Sequence, residues 1–259
     1  MVAVAPETIA KDLIQRVNSL ILQGDYLDLD SFVIKSLLRE VDKLMKFDVK
    51  SAHIVKAAIY QVCFDEEKMR DHLRIASANA SSSDISVSVD CAVGLSNFGY
   101  HSEGQDCFVK FDDPNYLSVI AMEKTFEVGY QTFSLEHLQS LIVKAKKLNL
   151  KLKEKDVVLT SKAVAILREN NISDKLLSQY ADIAGDVMRE NKLMPQDRAP
   201  NFEIADQESG WFPPTIFITF KVNADHATAA ELYKELTKRL IEKFDDIPDA
   251  IHISIASSQ

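Results

Sequence analysis

The sequence predicts a mainly α-helical protein of stacked antiparallel helical hairpins, followed by a small α/β C-terminal module with a β-α-β unit. Three observations carry that expectation. Apolar residues recur at helical spacing through most of residues 6–191, and the whole chain of 259 residues has only 7 Gly and 7 Pro to interrupt them. A weak internal repeat runs through Ala57, Tyr60, Phe64, Glu66, Met69, Leu73 and Ala76. It returns about 35 residues later as Ala92, Leu95, Gly99, His101, Gly104, Phe108 and Phe111, with a looser earlier copy in Val17, Leu20, Gly24, Tyr26, Leu29 and Val33. The composition then changes after Asn191, where Pro195, Pro200, Gly210, Pro213 and Pro214 mark a connector between two architectures. The expected domains are residues 1–191 and 192–259.

Pro6 suits a first helical turn, and Ile9, Leu13, Val17, Leu20 and Ile21 follow at helical spacing up to Gly24. A second helix from about Ser31 should bury Val33, Leu37, Leu38, Val41, Leu44 and Met45, before a break over 48–52. The next hairpin is expected over 54–64 and 67–79, ending in the polar run Ser81, Ser82, Ser83, Asp84, which offers N-cap chemistry. A third hairpin carries Val87, Cys91, Leu95 and Phe98, then Cys107, Phe108 and Phe111, and stops at Asp112, Asp113, Pro114. A fourth pair is expected over 117–130 and 134–148, without the small and aromatic register of the earlier copies. A fifth uses 160–170 and a helix capped by Ser173.

In the C-terminal region, 201–205 reads as a short edge strand and 215–222 as a clear one, with Ile216, Ile218, Phe220 and Val222 on one face. Asp225 caps a helix with a stripe of Ala230, Tyr233, Leu236, Leu240 and Phe244, and Ile251, Ile253 and Ile255 alternate along a last strand. Strand, helix and strand at this spacing imply a parallel crossover, too small a core to stand alone, so the module should dock on helices.

The composition, 46% hydrophobic and 27% charged, is that of an ordinary globular chain. No run reaches the length of a membrane span and residues 1–6 lack a signal-peptide pattern, so a cytoplasmic location away from membranes is expected. Cys63, Cys91 and Cys107 are odd in number and lie on apolar helical patterns, which favours free thiols. No metal-ligand spacing, glycine-rich phosphate loop or nucleophile elbow is present, so neither a metal nor another cofactor is expected. His72, His101 and His137 fall on three different hairpins and read as surface or turn histidines. The net charge of −9 disfavours general nucleic-acid binding and suits a basic protein partner.

The repeat resembles the tetratricopeptide repeat, with small residues where paired helices pack and an aromatic near the end of the first helix. Ala57, Tyr60, Met69, Leu73 and Ala76 match those types in one copy, and Ala92, Leu95, Gly99, Gly104 and Phe108 in the next. The resemblance covers about residues 50–114 and, with looser spacing, 6–148. It departs from the family at His53 and Ser88, where a large aromatic is usual, and lacks the proline after Ala76. It implies that first helices line a protein-binding face, presenting Ile54, Ala58, Gln61 and Val62, then Val89, Val93, Ser96 and Asn97. Gln61, Val93, Ser96 and Asn97 are the candidate partner-binding residues there. Trp211 and Phe212 form a second candidate anchor, or plug the seam between modules.

The function expected on these grounds is a non-catalytic protein-binding module, of the inhibitor, immunity or adaptor kind. Two alternatives belong to other classes. One is an enzyme with a site between helical body and tail, using His226 or His252 with Asp225. The other is a nucleic-acid-associated regulator using Lys144, Lys146, Lys147, Lys151, Lys153 and Lys155.

Overall fold

The computed structural model describes residues 6–21, 26–80, 84–110, 119–193, 195, 199–206, 210, 213–245 and 247–259. The protein is mainly helical with a small three-stranded sheet near the C-terminus. It divides into two compact units, residues 1–98 and 99–259.

Unit 1 holds α1 (Pro6–Ile21), α2 (Phe32–Leu44), α3 (Val49–Val62), α4 (Glu66–Ala78) and α5 (Ile85–Asn97). Side chains set the helix starts: the Ser31 hydroxyl accepts the Ile34 N–H, Asp48 accepts from Ser51 and Asp65 from Lys68, each satisfying a donor that a helix N-terminus leaves open. The break expected over 48–52 therefore ends at Asp48, and α3 begins several residues before Ile54. Asp84 stands at the N-cap of α5 without capping it, because its carboxylate takes the Lys50 ammonium at 2.7 Å instead. In α2 the buried stripe is Ile34, Leu37, Val41 and Leu44, stepping by three and four, whereas Val33 lies one residue off that line and is 46% exposed. The core gathers Leu13 and Val17 of α1, that α2 stripe, and Ala52, Val55, Ile59 and Val62 of α3. Helix α3 is the hub, packing on α1, α2, α4 and α5.

Unit 2 holds α6 (His101–Phe108), α7 (Val119–Gln131), α8 (Leu135–Lys147), α9 (Glu154–Glu169), α10 (Asp174–Glu190), β1 (Asn201–Ala205), β2 (Thr215–Val222), α11 (His226–Lys243) and β3 (Ile251–Ser257). Helix α9 starts six residues before Thr160, so Lys155 sits in its first turn. Helix α6 ends at Phe108; Phe111 and the expected stop at Pro114 lie outside the described residues.

Helix starts repeat along the chain. The first helices of successive pairs begin at Val49, Ile85, Val119 and Glu154, and the second at Glu66, His101, Leu135 and Asp174. The turn inside each pair contains one left-handed residue: Phe64, Gly99, Phe133 and Asn171. The periodicity thus reaches the fourth and fifth pairs, whose residue types do not repeat.

Buried polar groups lock unit 2. The Gln105 amide donates to the Thr132, Phe133 and Asp174 carbonyls at 3.1–3.3 Å and accepts from the Ser178 hydroxyl, tying α6, the α7–α8 turn and α10. Asp174 caps α8 from α10, accepting the Glu136 N–H at 2.9 Å, while the Ser134 hydroxyl bonds Thr132 instead. Close approach of Gly99 and Gly185 lets α10 pass the start of α6, with the Arg189 guanidinium 3.8 Å over the Tyr100 ring.

The sheet order is β1-β2-β3, with β1 antiparallel and β3 parallel to β2. Ile216, Ile218, Phe220 and Val222 are fully buried, beside Ile251, Ile253 and Ile255. The module docks on helices of its own unit: α10 packs on α11 and β3, and α9 on β1 and β2. Helix α11 buries Ala229, Leu232, Leu236 and Leu240; Ala230 is exposed, because the stripe centres one residue earlier than expected.

A Cβ on Gly185 would collide with the Gly99 backbone, so Gly185→Ala should destabilise unit 2 by about 3 kcal/mol or more in urea unfolding. Gly94→Ala, which meets only the Leu73 side-chain tip at 3.1 Å, should cost far less. Burial pushes the Asp174 carboxyl up to about 7 against its backbone N–H donors. The folded state then holds a proton that the unfolded chain, with its ordinary carboxyl, has released. That contribution to stability is complete below about pH 4 and disappears as pH rises through about 7. The stability difference between wild type and Asp174→Asn should therefore decline over that window.

Candidate functional site

The candidate site is an open groove of about 710 Å³ in unit 2, between the first turns of α9 and strand β1. Glu154, Lys155, Val158, Leu159 and Lys162 line one wall, and Ile204 and Asp206 the other. Helical spacing brings the α9 residues together: 155, 158, 159 and 162 share one face. On β1, Phe202 and Ile204 point to the face that also carries Ile216 and Ile218 of β2, and Phe202 meets the Tyr130 ring at 5.5 Å. The Tyr130 hydroxyl in turn bonds Thr160 and donates to the Asp156 carbonyl, fixing α9 against α7. Lys162 and Asp206 close the groove with an ion pair of 2.8 Å. Val158 remains 46% exposed, a β-branched apolar side chain left facing water on a helix whose other apolar positions are mostly buried.

The groove combines an apolar strip with a sheet edge and a basic end. Lys151, Lys153 and Lys155 are exposed where the chain enters α9. Among the described residues β1 is an edge strand, so its backbone polar groups on the side away from β2 can pair with another chain.

The sequence-derived candidates are distributed differently. Gln61 and Ser96 are 4% and 1% exposed, inside unit 1, because the helices packed around α3 and α5 leave those positions facing the interior. Ile54, Val62 and Val89 are buried as well. Val93 and Asn97 are half-buried on α5. Trp211 and Phe212 lie outside the described residues. Asp225 is the N-cap of α11, accepting the Thr228 N–H at 2.7 Å, and His226 is exposed at the first helical position. His252 packs between Tyr233 and Phe217.

The histidines are not all at the surface. His101 is 1% exposed, its Nδ1 within 3.0 Å of the Gln131 carbonyl and its ring against Phe133 and Phe220; burial holds it neutral, well below the usual imidazole range. His137 is half-buried against Phe108. In unit 1, His53 and His72 face each other with Nδ1 atoms 2.8 Å apart, a hydrogen bond in which one ring donates and the other accepts, with Tyr60 stacking on His72. The three cysteines are free, and burial raises the Cys63 thiol to about 11 and Cys107 above its ordinary value, which suppresses thiolate chemistry at both. Among the described residues, no group of three or more His, Cys, Asp or Glu side chains is placed to hold a metal ion, and no helix is long and apolar enough to cross a membrane.

The fifth hairpin read from the sequence starts at Thr160, which leaves Glu154, Lys155, Val158 and Leu159 of the groove outside it. The signal was available: Val158 and Leu159 continue the apolar spacing of α9 upstream, and Glu154 and Asp156 are the acidic residues expected in a first turn. Comparison with protein-family models, curated proteins and solved structures finds no match to this chain.

Burial, then repulsion from His53 and Lys56, lowers His72 to about 4. The folded chain therefore resists a proton that the unfolded chain accepts near the ordinary imidazole value, and this contribution to stability is present above that value and lost as pH falls toward 4. An NMR titration should place the His72 ring near 4, and His53→Ala should raise it by removing the neighbour.

Proposed function

We propose that the protein is a non-catalytic protein-binding module that receives a partner segment in the α9–β1 groove. The observation that carries this reading is the exposure of Val158 beside Leu159 and Ile204 along a sheet edge. Apolar surface next to a sheet edge is the combination that peptide-recognition grooves exploit, main-chain pairing supplying affinity and side-chain pockets supplying selection. The tetratricopeptide resemblance supports the same class of function: the recurrent helix starts and left-handed turns are compatible with an array built to present surface. Unit 1 adds two largely exposed aromatics, Phe32 at 84% and Phe47 at 75%, of the residue type that anchors interfaces.

The test is selection of a random peptide library displayed on phage against the full chain, followed by affinity measurement on Val158→Asp. Peptides selected on the wild type should bind the variant at least tenfold more weakly, while its unfolding midpoint stays close to that of the wild type. Selection of nothing, or equal binding to the variant, would remove the groove from the function.

A further inference from the structure

We infer that His53 and His72 form a two-histidine binding site for a divalent metal ion of square-planar or tetragonal preference, copper(II) or nickel(II), which joins α3 to α4 through the two Nδ1 atoms. The site lies within unit 1 and does not depend on the groove reading above.

The distance between the ligand atoms selects the ion. The two Nδ1 atoms come from different helices and lie 2.8 Å apart. Metal–nitrogen bonds of about 2.0 Å to both would enclose an angle of about 90°. That is the angle between neighbouring ligands in a square-planar or tetragonal sphere, the geometry of copper(II) and nickel(II) with nitrogen and oxygen donors. Tetrahedral zinc would need the nitrogens about 3.3 Å apart, and it binds such donors more weakly than copper(II).

The chemistry of the pair fits metal entry at neutral pH. An imidazole ordinarily titrates near about 6.5, so both rings are neutral at a pH of about 7.5. In the hydrogen bond between them one Nδ1 carries the hydrogen and the other offers a lone pair. For both to ligate, the donor ring moves its proton from Nδ1 to Nε2 by exchange with water. Each ring then keeps one N–H, no electron is transferred, and two nitrogen–metal bonds replace the hydrogen bond and two of the ion's water ligands.

The surroundings hold the pair and leave it reachable. His53 stands between buried Ala52 and Ile54 on α3, and His72 precedes buried Leu73 on α4, so core packing fixes both backbones. Tyr60 stacks on the His72 ring with centroids 5.3 Å apart and 15° between the planes. Both imidazoles are half-buried, so an ion from solvent can meet them. The charged side chains nearby are matched, Lys56 with Asp42 at 2.9 Å, Lys68 with Asp65 at 2.6 Å and Asp71 with Arg74 at 2.9 Å. Among the described residues no third His, Cys, Asp or Glu joins the pair, so water fills the remaining positions. Two ligands on packed helices make the second bond intramolecular, and the pair binds more tightly than either histidine alone.

Calorimetric titration of the untagged full chain with nickel(II) chloride, and electron paramagnetic resonance with copper(II) sulfate, test the inference in a non-coordinating buffer. Copper(II) on the wild type should give a tetragonal spectrum with pulsed modulation from two equatorial imidazoles; one imidazole or none would overturn the inference without any variant. His53→Gln and His72→Gln should each weaken nickel(II) at least tenfold, and the double variant should lose no more than either single one. His226→Ala, which removes an exposed histidine from α11, should bind as the wild type does. Nickel(II) should raise the urea midpoint of the wild type and leave those of the two glutamine variants unchanged, their midpoints without metal showing that they fold. Affinity kept within threefold in either glutamine variant, two imidazoles on copper(II) in either, or an equal loss in His226→Ala would overturn the inference and leave the contact as a hydrogen bond between helices.

Discussion

Helices α3, α5, α7 and α9 are each stopped by one residue of left-handed backbone, and the turns that follow them depend on that stop. After Phe64, Phe133 and Asn171 the next N–H reaches back five residues, to the carbonyls of Tyr60, Gly129 and Leu167 at 2.8–2.9 Å, which closes the helix end and starts the next helix at once. For a residue other than glycine the conformation costs about 1–2 kcal/mol. Phe133 offsets it, because its fully buried ring packs against His101 and Phe220 and burial of such a side chain contributes about 1.5–3 kcal/mol. The turn residue is thereby also a core residue, and in unit 2 it joins the helices to the sheet.

Helix α10 is the common reference of unit 2. Its start is held by Gln105, Tyr180 near its middle packs on Phe244 at the end of α11, Gly185 passes Gly99 at backbone distance, and Glu190 in its last turn pairs with Arg239 of α11. An unmet donor or acceptor at Gln105 would cost about 1–3 kcal/mol, so few arrangements of α6, α7, α8 and α10 other than the observed one satisfy it. The groove benefits from this rigidity at one remove: α9 is fixed on α7 by the Tyr130 hydroxyl, and β1 by its register with β2.

Much of the fold was legible in the sequence. Helical spacing and caps located the pairs, Ser173 and Asp225 were recognisable as N-caps, and the alternation of Ile216, Ile218, Phe220 and Val222 gave β2 its buried face. The misplacements have physical causes. Val33 and Ala230 are apolar residues one step from their stripes, and helical spacing alone tolerates that error. Phenylalanine at a left-handed position has no local signature, since glycine is the residue expected there. His101 was invisible as a core residue because its burial is made by Phe133 and Phe220, distant in sequence. The groove needed tertiary knowledge too: nothing local relates Val158 to Ile204.

The Asp174 cap on α8 bears on the order in which the chain folds. A cap within a helix's own sequence is in place as soon as the first turn forms and can help nucleate it, whereas this one acts across 38 residues. The start of α8 is therefore completed only when α10 arrives, and loop closure comes before the hydrogen bonds that reward it. The first turn of α8 is thereby coupled to the docking of α10 through a single carboxylate.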